Sequence, residues 1–414
     1  MRYRDPLLLG LLIILICGAL IGLTWMNYRF SVQNPGGNDF LARWMGARKW
    51  LIEGISPYDQ RVSLATQEMI YGHPADPEKG EDINHFVYPL TSMIFFAPFG
   101  LLEYLPARAL WMTVLELSLV GLAIVSMRLV RWQPKPLWIV LLVLFNLLWY
   151  HGVRTIVIGQ FAAIEALLIV AALLMIRDKK DIGAGILLAL STSKPQMAFL
   201  VIPFILIWAY SRRRFYLIWS FFASMLGLFI LSLVFIPDWP LQMLQQILEY
   251  PSYTRTGSPL DIIAANVPGL STKLNMILHV IFWIYLFYEW VLAWKKPYRW
   301  FIWTALMTLV ITNFITLRTA TTNYVMLLPV LFLIFKIWRQ RWGKFGIGLV
   351  GSAIVALLVG LWVLFLGTVE GNAEQPIMYL PLPVVCLVGL WWVRWWAIRL
   401  DKIPLEKEIT NHIG

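Results

Sequence analysis

The sequence predicts an all-α polytopic membrane protein of about twelve transmembrane helices, with an outer-face amphipathic helical loop after the first span, because its apolar runs recur near the roughly 20 residues that a bilayer requires. Three observations carry this prediction. Hydrophobic residues make up 59% of the chain and charged residues only 14%, with mean hydropathy +0.70, which is more apolar surface than a soluble core of this size can hide. Twenty-two tryptophans include many at the ends of apolar runs, among them Trp25, Trp132, Trp138, Trp208, Trp300, Trp338 and Trp342, where amphipathic rings settle into interfacial belts. Lys and Arg give a formal net charge of +11 but are dispersed in short clusters between apolar runs. That is the pattern of topology determinants and anionic-lipid contacts, and it argues against a nucleic-acid partner.

Taken in order, the run at 6 to 27 lacks a small-residue cleavage site and reads as an uncleaved signal-anchor. Further spans are expected at 107 to 127, 137 to 157, 160 to 176, 214 to 236, 270 to 294, 300 to 317, 321 to 338, 345 to 368 and 376 to 397. A broken pair lies between 182 and 210, interrupted at Ser193-Lys194-Pro195. Irregular backbone at membrane depth is tolerated only under a cover of protein or beside a wet cavity, so Lys194 is expected to face a cavity. With this layout the basic clusters fall on one side: Arg2 and Arg4, Arg128 to Lys135, Arg177 to Lys180, Arg212 to Arg214, Lys295 to Arg299, Lys336 to Lys344, and Arg394 to Lys402. The positive-inside rule makes that side, with both termini, cytoplasmic, and places the loops 30 to 106, 237 to 269 and 369 to 375 outside, in the cell membrane of a multi-pass protein. Counting Tyr88 to Leu102 as a crossing would invert every later loop, so this short run with Pro89, Pro98 and Gly100 reads as a re-entrant or surface-lying hairpin. Cys17 and Cys386 each sit in an apolar run, where they serve as small hydrophobes and form neither a disulfide framework nor a metal knuckle.

The outer segment carries its own helix signals. Asp39 can cap a helix running to about Glu53, with Phe40, Trp44, Ala47, Trp50 and Leu51 on one face and Arg43, Arg48 and Lys49 on the other. Such a helix should lie in the outer interface, ended by Gly54 and Pro57. The polar stretch Gly72 to Asn84 reads as a mobile loop over a cavity. Asp39 itself is the most informative residue. A carboxylate just beyond the first span lies where water, headgroups and protein meet, the right place for a base serving a lipid-borne substrate.

Asp39-Phe40, Gly54-Ile55-Ser56-Pro57-Tyr58, Phe86-Val87-Tyr88-Pro89 with Pro98 and Leu105-Pro106, Gly159-Gln160, and Gly185 leading to Lys194-Pro195 follow one another in an order that resembles glycosyltransferase family 87. The resemblance covers roughly residues 1 to 340, and the segment Thr316 to Tyr324 departs from it in holding no histidine. It implies the C-type glycosyltransferase fold and a hexosyltransferase, mannose being the expected sugar, that uses a polyprenyl-phosphate donor and a lipid-linked or glycan acceptor at the outer face to build cell-envelope glycolipids. It also implies an inverting transfer in which the aspartate after the first span, here Asp39, deprotonates the acceptor. Within a single integral membrane domain, 1–414, the segment 30–106 is then the outer loop with its juxtamembrane helices and hairpin. Residues 107–340 form the remaining catalytic core and 341–414 the C-terminal spans and cytoplasmic tail.

The chemistry asks for the same parts. An oxocarbenium-like centre forms while negative charge grows on the leaving phosphate, so one carboxylate and several cations are needed. Asp39 supplies the first. Lys194, Arg318 and Arg154 are candidates for the phosphate, and Tyr58, Tyr88, His151, Gln160, Asn323 and Tyr324 for sugar and acceptor contacts. The plainer readings are an N-cap for Asp39, snorkelling for Lys194, anchoring of span ends for Arg318 and Arg154, loop roles for His73 and His85, and helix-to-helix hydrogen bonds for His279, Glu116, Glu165 and Glu289. The alternative function is a polytopic lipid or glycan flippase or transporter, whose halves would carry matching broken helices. Only the break at Lys194 is visible. No cofactor or metal site is expected, and the expected partners are donor, acceptor and membrane lipids.

Overall fold

The computed structural model describes residues 6–34, 36–253, 257–267, 269–316, 319–370 and 374–399. It is all-helical, 81% helix with no strand among the described residues. In chain order the helices are α1 Pro6–Gln33, α2 Asn38–Glu53, α3 Gln60–Tyr71, α4 Met93–Gly100, α5 Tyr104–Leu129, α6 Pro136–Leu148, α7 Tyr150–Ile158, α8 Ala162–Arg177, α9 Asp181–Leu190 and α10 Pro195–Ala198. They continue as α11 Val201–Ser211, α12 Phe215–Phe235, α13 Trp239–Tyr253, α14 Pro259–Ala265, α15 Ser271–Leu292, α16 Tyr298–Ile315, α17 Leu328–Val355, α18 Leu361–Thr368, α19 Pro381–Trp392 and α20 Arg394–Ile398.

Among the described residues five helices are long and apolar enough to cross a membrane, or six if the bent pair α6–α7 counts as one. The other apolar segments fold as shorter pieces packed inside the bundle, such as α8 with its buried Ala163, Ala166 and Val170. The two termini assigned to the cytoplasm lie outside the described residues.

The basic clusters gather at one end. Arg177 donates to the carbonyl of Arg128, Lys336 to that of Val130 at 2.7 Å, and Arg212 to that of Lys295 at 3.2 Å. Arg214 pairs with Asp181 and donates to the Ile176 carbonyl at 2.8 Å. From there α5 runs 26 residues, about 39 Å at 1.5 Å per residue, to Tyr104 and the α1–α2 turn at the opposite end.

Three local differences from the sequence reading have physical causes. The expected span at 137 to 157 is bent by 53° between α6 and α7. Trp149 is extended there, and Gly152 lets the Asn146 carbonyl approach where any side chain would collide. Asp39 is not the N-cap of α2: Gly37, in the left-handed region at φ 78°, takes that position and Asp39 sits in the first turn. The face of α2 from Phe40 to Ala47 is buried, Arg43 included, so its first half is packed inside the protein and does not lie flat with a basic face outward. Other expectations match. The chain breaks between 338 and 345 through non-helical Gly343, a residue inside α17, and Ser193-Lys194-Pro195 interrupts α9 to α11, with Lys194 itself non-helical. The run from Tyr88 holds a 3₁₀ turn, Leu90–Ser92, continued by the eight-residue α4, together too short for a hydrocarbon core of about 30 Å. Gly72 to Asn84, expected as a mobile loop, instead contains a 3₁₀ turn, Pro77–Lys79, and is fastened to α3 through Gln67, which donates to Ile83 O at 2.7 Å and accepts from Ala75 N at 2.8 Å.

Candidate functional site

The site is assembled around the α1–α2 turn at the end remote from the basic clusters. Tyr104 donates to Gly36 O at 2.6 Å and Arg108 donates to Asn34 O at 2.7 Å. A Cβ on Gly37 would lie 2.7 Å from Nε of Arg108 and 2.9 Å from the Tyr104 hydroxyl. Only glycine satisfies both the left-handed backbone and this clamp. The turn therefore holds α2 at a fixed height on α5.

Phe40, next to Asp39, is fully buried and stacks on Trp111 with centroids 5.0 Å apart. Gly159 ends α7 in the left-handed region at φ 75°, and a Cβ there would lie 2.5 Å from that of Phe40. Trp111 donates from its indole nitrogen to Gly159 O at 2.8 Å. Asp39-Phe40 and Gly159-Gln160, far apart in sequence, thus meet in space through backbone contact that needs a missing side chain.

From Asp39 a chain of polar contacts leads inward. The Asp39 side chain is 33% exposed, and Arg43 one turn on is 3.7 Å away, its guanidinium 4.5 Å above the Tyr88 ring. Tyr88 donates to Oε1 of Gln160 at 3.2 Å, and Lys194 Nζ donates to the same oxygen at 2.8 Å. Lys194 is 1% exposed and makes no salt bridge among the described residues. The charges of Asp39, Arg43 and Glu165 all reach it. Glu165, in the first turn of α8, is fully buried, and neither of its carboxyl oxygens has a hydrogen-bond partner among the described residues. Tyr58 props Tyr88 from behind, its hydroxyl donating to Tyr88 O at 2.5 Å.

Asp82 stands at the mouth. It is solvent-exposed with protein packed around it. Enclosure raises its carboxyl above the ordinary carboxylate range, and Asp39 adds to the rise while Arg43 and His85 oppose it.

The remaining expected residues form a second group. Tyr150 donates to Oε1 of Glu374 at 2.7 Å and Arg154 pairs with Oε2 at 3.4 Å. His151 packs edge-on to Tyr324, centroids 5.3 Å apart. Tyr324 donates to Tyr379 O at 2.9 Å and Asn323 to the Thr319 hydroxyl at 3.3 Å. Arg154 has its charge matched by a carboxylate, and Arg318 lies outside the described residues. Glu116 and Glu289 have partners, Asn27 at 2.9 Å and Arg394 at 3.0 Å. Asp39, Tyr58, Tyr88, Gln160 and Lys194 come together, while His151, Arg154, Asn323 and Tyr324 do not join them directly. Arg43, Asp82, Glu165 and Glu374 were missed as site residues. Arg43 had a signal in its helical i+4 spacing from Asp39; the others are placed by tertiary packing alone.

Residues 86–326 match the model of glycosyltransferase family 87, more than half of the chain. The matched span holds Tyr88, Gln160, Glu165 and Lys194, and Asp39 and Arg43 precede it. No curated protein matches the chain, and no solved structure does.

Proposed function

The chain belongs to glycosyltransferase family 87 and is a membrane glycosyltransferase, and on that premise we propose that it moves a hexose, mannose first among the choices, from a polyprenyl-phosphate donor to a lipid-linked or glycan acceptor. The reaction is placed at the outer face of a bilayer crossed about twelve times, the side opposite the basic end, as the positive-inside rule directs. Asp39 takes the proton of the acceptor hydroxyl. The new glycosidic C–O bond forms at the anomeric carbon as its bond to the phosphate oxygen breaks, and the electron pair leaves on polyprenyl phosphate. One carboxylate acting as base gives inversion in a single displacement.

The observation that carries this reading is the gathering of one partly exposed carboxylate, Asp39, and one buried ammonium, Lys194, in a single polar cluster. A partly exposed carboxylate can meet an acceptor in water. A fully buried ammonium whose bonded partner is a neutral amide has no carboxylate in salt-bridge contact among the described residues, and a buried cation gains from direct contact with an anion. A phosphate supplies that anion and, on leaving, concentrates more negative charge beside Lys194, which stabilises the transition state over the ground state. Arg154, already matched by Glu374, is the weaker choice. In this arrangement Arg43 pairs with Asp39 at 3.7 Å, and Gln160, itself held by Tyr88, fixes the ammonium. The test is mass analysis of lipid-linked glycans from cells with and without the gene. A species one sugar short without the gene supports the transfer. A finished lipid in unchanged amount, displaced to the other leaflet, would mean a flippase.

A further inference from the structure

Beside the Asp39 cluster lies a cavity of about 530 Å³ between α3, the 72–90 loop and α13, within the roughly 300–1,000 Å³ of small-molecule sites. Its walls carry five glutamines, Gln60, Gln67, Gln242, Gln245 and Gln246, and no Lys or Arg. Its carboxylate, Glu249, is 3.3 Å from His85. Three of the amides are pinned by the protein. Gln67 is tied to Ile83 and Ala75. Gln242 accepts from Ser56 at 2.5 Å and donates to Asp238 at 2.6 Å, and Gln246 accepts from Val87 N at 3.2 Å and donates to Tyr58 O at 2.9 Å. An amide offers two N–H groups and two lone pairs, so each pinned glutamine keeps a donor and an acceptor in a set direction. Gln60 and Gln245 are exposed and add adaptable ones.

We propose that this amide-lined cavity is the acceptor subsite and that it takes a neutral, polyhydroxylated group, the terminal sugars of a glycan. A hydroxyl is at once donor and acceptor, which an amide matches and a cation does not. An apolar tail would strip hydrogen bonds from five amides, and an anion would find no cation. Pinned walls bind without first being ordered. The cavity adjoins the cluster of the base: its Ile83 follows Asp82 in the chain, and the charge of Asp82 interacts with those of Asp39 and the cavity's His85. Its Tyr58 links Gln246 to Tyr88. An acceptor seated there can extend its reactive hydroxyl past Asp82 to Asp39. The inference rests on the transferase reading above.

The test uses the full chain in lipid nanodiscs with three neutral probes, octyl maltoside, octyl lactoside and octyl mannobioside, and one anionic probe, dodecyl phosphate, followed by saturation-transfer NMR. At least one neutral glycoside should be saturated through its sugar protons. Its affinity should fall at least tenfold when Gln60→Trp and Gln245→Trp fill the cavity from exposed positions, and fall less in Gln245→Ala, with dodecyl phosphate unaffected in each. Equal glycoside binding by native and filled protein overturns the proposal. So does the absence of binding by all three glycosides in a protein that transfers sugar, which leaves the transferase reading standing. Glycoside binding by a protein that transfers nothing from a polyprenyl-phosphate donor removes that reading and with it the acceptor role, leaving a sugar-binding cavity.

Discussion

Lys194 donates to Gln160 at 2.8 Å, and the oxygen that accepts this bond also accepts from Tyr88 at 3.2 Å. One amide oxygen therefore joins the Pro195 break, the start of α8 and the loop that carries the cavity. The ammonium is held in place without being neutralised, which is how a cation is kept ready for a phosphate.

Removing that charge tests the role. Lys194→Met should lower affinity for a short-chain polyprenyl-phosphate sugar and lower kcat as well, together by at least about a hundredfold in kcat/KM, the scale of losing one charge-stabilising donor. Lys194→Arg should restore only part, since a planar fork replaces a compact point charge. Transfer kinetics in detergent decide it. Native kinetics in Lys194→Met would move the phosphate elsewhere, Arg154 being the next position to vary.

The Phe40–Gly159 contact should be intolerant of a single methyl. Gly159→Ala places a Cβ 2.5 Å from that of Phe40 on a backbone at φ +75°, and overpacking with left-handed strain costs about 2–4 kcal/mol. Gly54→Ala, at φ +67° in open space, carries the backbone cost alone, about 1 kcal/mol. Thermal unfolding in detergent should rank the two in that order, with transfer lowered in Gly159→Ala even where the protein remains folded. An equal effect of both substitutions would show that the close approach does not position Asp39.

The cavity wall should weaken in acid through His85. Its ring bonds Ser63 at 2.8 Å and lies 3.3 Å from Glu249, and burial holds its pKa below the ordinary 6.5, with Glu249 and Asp82 opposing that shift by their charge. Between the folded pKa and 6.5 the unfolded chain binds a proton that the folded one does not. Stability is therefore whole above about pH 6.5 and declines as the pH falls below it. Limited proteolysis of the 72–90 loop between pH 7.5 and 5.5 should show that decline in the native protein and a flatter profile in His85→Gln. An identical slope in the variant would assign the acid sensitivity to another group.

What could be read in the sequence was what local pattern controls. Apolar runs and dispersed basic clusters give helices whose basic ends gather together, and Ser193-Lys194-Pro195 announces its own break because proline cannot continue a helix. Asp39 was found from its place after the first span, although its capping role goes to Gly37, whose left-handed backbone has no signal beyond a Gly-Gly pair. The bend at Trp149 was hidden because no proline marks it and its cause, the approach of Gly152 to Asn146, spans two helices. The cavity of glutamines was invisible for the same reason, since α3 and α13 are joined only by folding. The Arg154–Glu374 pair is hidden in the same way, since nothing in the sequence brings the two together.

The most direct test of the account is Asp39→Asn. The carboxylate is partly exposed and pairs with Arg43 at 3.7 Å, so its loss should change stability by no more than about 1 kcal/mol. A positioned general base contributes roughly 10²- to 10⁴-fold. Transfer from a polyprenyl-phosphate sugar, measured in detergent with donor binding followed in parallel, should fall by that factor while donor affinity and unfolding temperature stay near native. Near-native transfer by Asp39→Asn would remove Asp39 from the chemistry and, with it, the proposed mechanism.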